Sequence, residues 1–250
     1  MQRFFFLCLI LLLRGSAYTQ DVAYLVSEGQ QLEKAMKDDE ALKKYQEALG
    51  LAPNDLRALV RTSLLTGTVS ARLTDRKQQA AGFEAARTYA ASALRADSND
   101  ADANCAMAIA CGRLAMVSSV KEKAALLRSM KDHADTSLRI SPDHARANHT
   151  LGKWHYEVTK LNMAEKTALK VLYGGLPPAS MEQAVSRFEK VRALEPSFVL
   201  NYLDLARACK ENGRSDKAIE VLTRMQKLPP KTTDDAGYKA EGKKLLESLM

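Results

Sequence analysis

The chain has 250 residues, 46% hydrophobic and 27% charged, with 6% aromatic residues and a formal net charge of +7. This composition argues against a disordered chain and is sufficient for a large core. Ala, Leu, Lys, Glu and Arg dominate while β-branched and aromatic residues are sparse, which argues against a strand-built fold and for helices.

The first segment differs from the rest. Met1 to Arg3 is a short basic start, Phe4 to Leu13 (FFFLCLILLL) is an apolar run, and Gly15 and Ala17 are small residues placed for a cut after Ala17. This is the layout of a secretory signal peptide over residues 1–17. The run is short of the ~20 residues that a helix needs to cross ~30 Å of hydrocarbon. An uncleaved membrane anchor is the alternative. Loss of Arg3 and Arg14 with the leader would lower the charge from +7 to +5. The remaining domain, 18–250, carries interspersed charge, as in EKAMKDDEALKKYQEA, which reads as a solvated helical surface. No basic stripe with aromatic platforms appears, so no nucleic-acid partner is expected. Cys105, Cys111 and Cys209 cannot form a disulfide framework, and buried thiols are expected.

Internal repetition organises the rest. Ala41, Tyr45, Ala48 and Pro53 recur at the same spacing as Ala184, Phe188, Val191 and Pro196, and again as Ala218, Leu222, Met225 and Pro230. This is the second helix and closing turn of a tetratricopeptide repeat (TPR). A small residue lets two helices approach, the large residue four later fills the space beside it, and the proline stops the helix.

In chain order, Leu25, Gly29 and Leu32 precede Ala41 in a first unit over 22–55. A second spans 56–100, where ALRADSND echoes ALGLAPND, with extra residues around Thr66 to Gly82. A third, 101–144, runs from DADANCAMAIA to LRISPDH. A fourth, 145–198, opens on HARANHTLGKW and carries MAEKTALKVLYGGLPPAS between its helices; Tyr173 to Ser180 is expected as loop. Ser180 should cap the next helix, with Gln183 completing a capping box. The fifth unit is 199–232, and a capping helix over 235–249 closes the open end. The expected fold is therefore all-α: a TPR-like α-solenoid of about five helix pairs with a C-terminal capping helix.

LGKWHYEV, YGGLPPAS, MEQAVSRFEKVRALEPSFVLNYLDLARACKENG and LPPKTTDD together resemble the regulator of microtubule dynamics family. The resemblance includes a G-[K/R]-W-x-[Y/F]-x-[V/I] segment, here Gly152, Lys153, Trp154, Tyr156 and Val158, and covers roughly Val22 to Leu249. It implies a TPR-like helical domain, no catalysis, and, for eukaryotic members, association with microtubules and organelle membranes. Export would separate this chain from cytosolic tubulin, so microtubules are expected as partners only of a cytosolic, anchored chain.

Leu151, Trp154, Val158 and Leu161 fall on one helical stripe, which assigns Trp154, Leu151 and Val158 to the core. The opposite stripe, together with the other first-helix positions that line the concave face of TPR folds, gives Arg113, Arg146, His149, Lys153, Tyr156, Arg207 and Lys210 as candidate partner-binding residues. That face is expected to be net basic in its later half and to take an acidic or carboxylate-bearing protein segment. The Lys/Asn clamp that some TPR domains close on a terminal carboxylate is not reproduced. A lipid-binding version would instead use a cavity lined by Cys105, Ile109, Leu200 and Leu203.

No phosphate loop, GxGxxG, HExxH or GxSxG motif occurs. His149 and His155 point to different sides of one helix, so neither a metal site nor a cofactor is expected. Asp38-Asp39 and Asp234-Asp235 sit where helix-start roles suffice. The sequence reads as an exported, non-catalytic binding or scaffold protein, secreted or periplasmic. A microtubule-associated or membrane-tethering protein and a lipid-binding repeat protein are the alternatives.

Overall fold

The computed structural model describes residues 20–250; the expected leader lies outside the described residues. Among those described the chain is all-helical, with twelve helices and no strand. They are α1 (20–34), α2 (Asp38–Leu51), α3 (Leu56–Ala71), α4 (Arg76–Ala96), α5 (Ala101–Val117) and α6 (Val120–Ile140), followed by α7 (Ala145–Thr159), α8 (Met163–Tyr173), α9 (Met181–Leu194), α10 (Val199–Glu211), α11 (Ser215–Gln226) and α12 (Asp235–Glu247). Helices α3 and α4, α5 and α6, α7 and α9, and α10 and α11 pack as pairs, and α12 closes on α10 and α11. Val22 and Val26 of α1 bury against Ala41, Tyr45 and Ala48 of α2. None of the described helices is long and apolar enough to cross a membrane.

The repeat residues explain the packing. Ala41, Tyr45, Ala48, Ala184, Phe188, Val191, Ala218, Leu222 and Met225 all have 0% exposure. In the fourth pair, Gly152 is what lets α7 lie against Phe188: a Cβ there would come within 2.8 Å of Phe188 Cε1. The second and third units keep the frame with smaller side chains, Ala90 and Ala134, where the others place Tyr45 or Phe188.

Aspartate side chains cap several starts, Asp55 to the Ala58 amide at 2.8 Å, Asp75 to Gln78 at 2.7 Å and Asp100 to Ala103 at 2.7 Å. The cap at α9 is one-sided: Ser180 Oγ accepts from the Gln183 amide at 3.2 Å, but the full box expected there is not formed. Full capping boxes occur instead at Ser119 with Glu122 and at Asn162 with Glu165. The extra residues of the second unit do not form a loop; they lengthen α3 and α4, leaving 72–75 as the connection. Most of the inserted segment after α7 is likewise helix, α8, ended by Gly174 at φ 70° and Gly175 at φ 91°.

The two ends of the solenoid meet. Thr233 Oγ1 donates to the Met36 carbonyl at 3.1 Å, and Arg72 Nε donates to Asp234 Oδ1 at 2.7 Å while its Nη2 also pairs with Asp38. The turn ahead of α12 is held by Asp235, whose carboxylate accepts from the Lys231 and Thr232 amides at 2.7 and 2.9 Å. The C-terminal segment thus ties the last unit back to the first two.

Candidate functional site

Helices α7 and α10, the first helices of the fourth and fifth units, meet around a buried ionic cluster. Asp204, on α10 and 3% exposed, is at its centre. Its Oδ1 accepts from Arg207 Nη1 at 2.9 Å and from Lys153 Nζ at 3.3 Å, and its Oδ2 faces His149 Nε2 at 3.2 Å, outside good hydrogen-bond geometry. Burial alone would raise the Asp204 pKa, but Lys153, then His149 and Arg207, outweigh it and hold the carboxyl far below its ordinary value of 3.8. Burial also works against the Lys153 charge; Asp204 and Glu157 overcome it, and the Lys153 pKa is raised.

Part of the basic charge expected on the later half is therefore already paired within the chain. Lys153 also pairs with Glu157 at 3.3 Å, and Arg207 with Glu241 of α12, so neither cation is free for a partner. His149 packs its ring against Phe188 and Phe198, with centroids 5.4 and 4.9 Å away. Tyr156 is half-buried between Lys153 and Lys160, each with Nζ 5.4 Å from the ring centroid. Arg146 and Lys210 are exposed.

Arg113, on α5, is half-buried and reaches across to α3, where Nη1 donates to the Leu64 carbonyl at 3.4 Å and Nη2 to Thr68 Oγ1 at 3.1 Å. Burial pushes its pKa down to about 10; Tyr238 and Asp234 act against the shift, and Arg146 and Arg72 add to it. The structure therefore brings together His149, Lys153 and Arg207 around Asp204, seats Arg113 against α3, and leaves Arg146 and Lys210 exposed on the surface. Asp204 was missed because an acid between apolar residues in NYLDLARA reads as a solvent-facing position.

Trp154 is 0% exposed, with Nε1 donating to the Leu127 carbonyl at 2.8 Å; Leu151 and Val158 are buried at 2% and 8%. His155 lies edge-on to Trp154, ring centroids 5.0 Å apart, and is 4% exposed with no partner for Nδ1. Burial, reinforced by Lys131 and Arg187, pushes its pKa from 6.5 down to about 4. The unfolded chain takes up this proton first, so stability falls as pH drops from about 6.5 to about 4, by roughly 3 kcal/mol. His155→Leu should flatten the melting temperature across that window relative to the unsubstituted chain; an equal decline in both would contradict the assignment.

Of the four residues considered for a lipid cavity, Leu203 is 0% and Cys105 2% exposed, and only Ile109 and Leu200 keep partial exposure. Cys105, Cys111 and Cys209 are buried and unbridged. Among the described residues no three His, Cys, Asp or Glu side chains gather as metal ligands.

The family model for regulator of microtubule dynamics protein 1-3 matches residues 25–250. Regulator of microtubule dynamics protein 3 of Mus musculus is 26% identical over 153 residues, 61% of this chain and 33% of its own length. The Xenopus laevis protein 3 is 29% identical over 147 residues, 58% and 32%. Protein 2 of Bos taurus is 27% identical over 143 residues, 57% and 35%. The matched region is about a third of each of these relatives. A thermophilic TPR protein of Thermus thermophilus superposes with a TM-score of 0.63 at 17% identity, covering 88% of this chain and 98% of its own. The pilF protein of Pseudomonas aeruginosa does so at 0.52 and 12%, covering 93% of each. These two likenesses concern the fold alone: a TPR-like solenoid.

Proposed function

The chain belongs to the regulator of microtubule dynamics family, and on that premise we propose that it is a non-catalytic scaffold that binds a protein or peptide along the concave face of its TPR-like solenoid. The observation that carries this reading is the division of labour on that face. A buried Asp204 cluster stiffens the centre, while Arg113, Arg146 and Lys210 have no carboxylate at salt-bridge distance among the described residues. A rigid wall bearing cations without a salt-bridge partner is suited to recognition, because its geometry is settled before the partner arrives. Replacing Lys210 on α10 by a photo-crosslinking residue should capture the partner in the protein's own cells. The same replacement at Lys43, exposed on the second helix α2, should not. Capture from position 43 alone would overturn the reading.

Export is part of the proposal, supported by the layout of residues 1–17. Intact mass after fractionation should give a mature chain starting near Tyr18, outside the cytosol. The second reading, microtubule association by an anchored chain, is favoured by the names of the relatives. A full-length chain on the cytosolic side of a membrane that co-sediments with microtubules would select it.

A further inference from the structure

The C-terminal segment makes contacts that a stack of repeats does not need. Units in such a stack touch their neighbours, so its two ends are ordinarily independent. Here residues 233–241 reach across them. Thr233 Oγ1 donates to the Met36 carbonyl in the α1–α2 turn at 3.1 Å. Asp234 accepts from Arg72, the C-cap of α3, through Nε at 2.7 Å and Nη2 at 3.2 Å. Arg72 is shared with Asp38 of α2, and Glu241, about two turns along α12, holds Arg207 of α10. One short segment therefore bridges α3 and α10, the first helices of the second and fifth units.

Both sides of the contact are shaped for it. Met36 ends α1 at φ 59°, a left-handed conformation that glycine usually fills at a helix C-terminus. The Met36 and Lys37 amides return to the Glu33 and Leu32 carbonyls at 2.9 Å, and the Met36 carbonyl is left for Thr233. On the other side, the Asp235 carboxylate closes the turn at Lys231 and Thr232, and Lys239 Nζ donates to the Leu228 carbonyl at 2.7 Å. Thr233 and Asp234 are thereby presented from a turn that is already fixed.

The junction is nevertheless polar. The apolar side chains of α12, Tyr238, Leu245, Leu246 and Leu249, pack with the core of the last units, and none of them joins the cluster around Tyr45 in the first. Apolar packing would make the closure as lasting as the fold itself. An ion pair that keeps contact with water gains little over hydration and parts at small cost. Asp38, Asp234 and Arg72 keep 10%, 24% and 28% exposure, so water reaches all three. The two-pronged grip of Arg72 on Asp234 gives the contact its geometry, and its exposure makes it separable.

We propose that Arg72, Asp38 and Asp234, with Thr233 on Met36, form an ionic clasp that closes the solenoid end to end, and that its opening widens the partner's access to the concave face. The access role rests on the concave-face reading above. The test places spin labels on Lys43→Cys of α2 and Lys243→Cys of α12, both exposed, in the full chain with Cys8→Ser; the other three cysteines are buried. Pulsed dipolar spectroscopy should give one narrow distance in the clasped chain. Arg72→Ala and Asp234→Ala should each give a longer and broader distribution. The swap of Arg72→Asp with Asp234→Arg, which keeps an arginine between two aspartates, should restore the narrow one. Should an alanine variant fail to fold, Thr233→Val, at an exposed position, and the swap decide. Distances unchanged in the variants that fold would overturn the clasp, as would a swap that stays open. Crosslinks from position 210 should rise in the Arg72→Ala chain. Equal capture from clasped and opened chains overturns the access role. Capture from neither removes the concave-face reading and the access role with it, and the distances alone then decide the clasp.

Discussion

Trp154→Ala should destabilise the protein by about 3–5 kcal/mol, a melting shift on the order of 10 °C for a chain of this size. The indole is fully buried in the central core cluster with Leu127, Met130, Leu151, Val158 and Leu161, and it donates to the Leu127 carbonyl across from α7 to α6. Truncation would open a cavity between the third and fourth units and remove that bond. Lys131, with Nζ 5.5 Å from the ring centroid, would lose its aromatic partner as well. Trp154→Phe, which keeps most of the volume, should cost less than half as much. Thermal and urea melts check both; an unchanged melt for Trp154→Ala would contradict the core assignment.

Asp204→Ala should be comparably severe, about 3–5 kcal/mol, because it leaves Lys153, Arg207 and His149 facing one another without the charge that holds them. The same geometry fixes its pH dependence. The folded-state pKa of Asp204 is depressed below 3.8, so the stability it contributes is present above that value and is lost as pH falls below it. The acid response of the chain therefore has two separable parts: His155 between about 6.5 and 4, and Asp204 below. Urea melts at pH 7 and pH 3 should show a large difference between Asp204→Ala and the parent at pH 7 that narrows at pH 3. A constant difference would rule out the ionic role. Charge reversal at Lys153 or Arg207 carries the same penalty, so those two positions do not give clean binding variants.

Periodicity carried most of the fold. The spacing of Ala41, Tyr45, Ala48 and Pro53, repeated twice, marked second helices, because close helix approach and helix termination impose residue types at fixed offsets. The second and third units were fainter because Ala90 and Ala134 occupy the bulky position, and Ser98 stands where the others have proline. Helix α8 was missed as an element, although its Asn162 to Glu165 capping box is a readable start.

The site was less legible than the fold, for a physical reason. The Lys153–Asp204 pair joins residues 51 apart, Arg113–Thr68 joins residues 45 apart, and Arg72–Asp234 spans 162. First-helix positions named the cations expected on the concave face, but which of them are already paired depends on contacts between units. A pattern read within one unit cannot contain those contacts. The closure of the chain by Thr233 on Met36, 197 residues away, belongs to the same class.

The most direct test of the concave-face account is hydrogen exchange of the full chain with and without its captured partner. Slowing should concentrate in the first helices α5, α7 and α10, over Arg113, Arg146 to Tyr156, and Arg207 to Lys210. Slowing confined to the second helices α4, α6, α9 and α11, with the first helices unchanged, would contradict it.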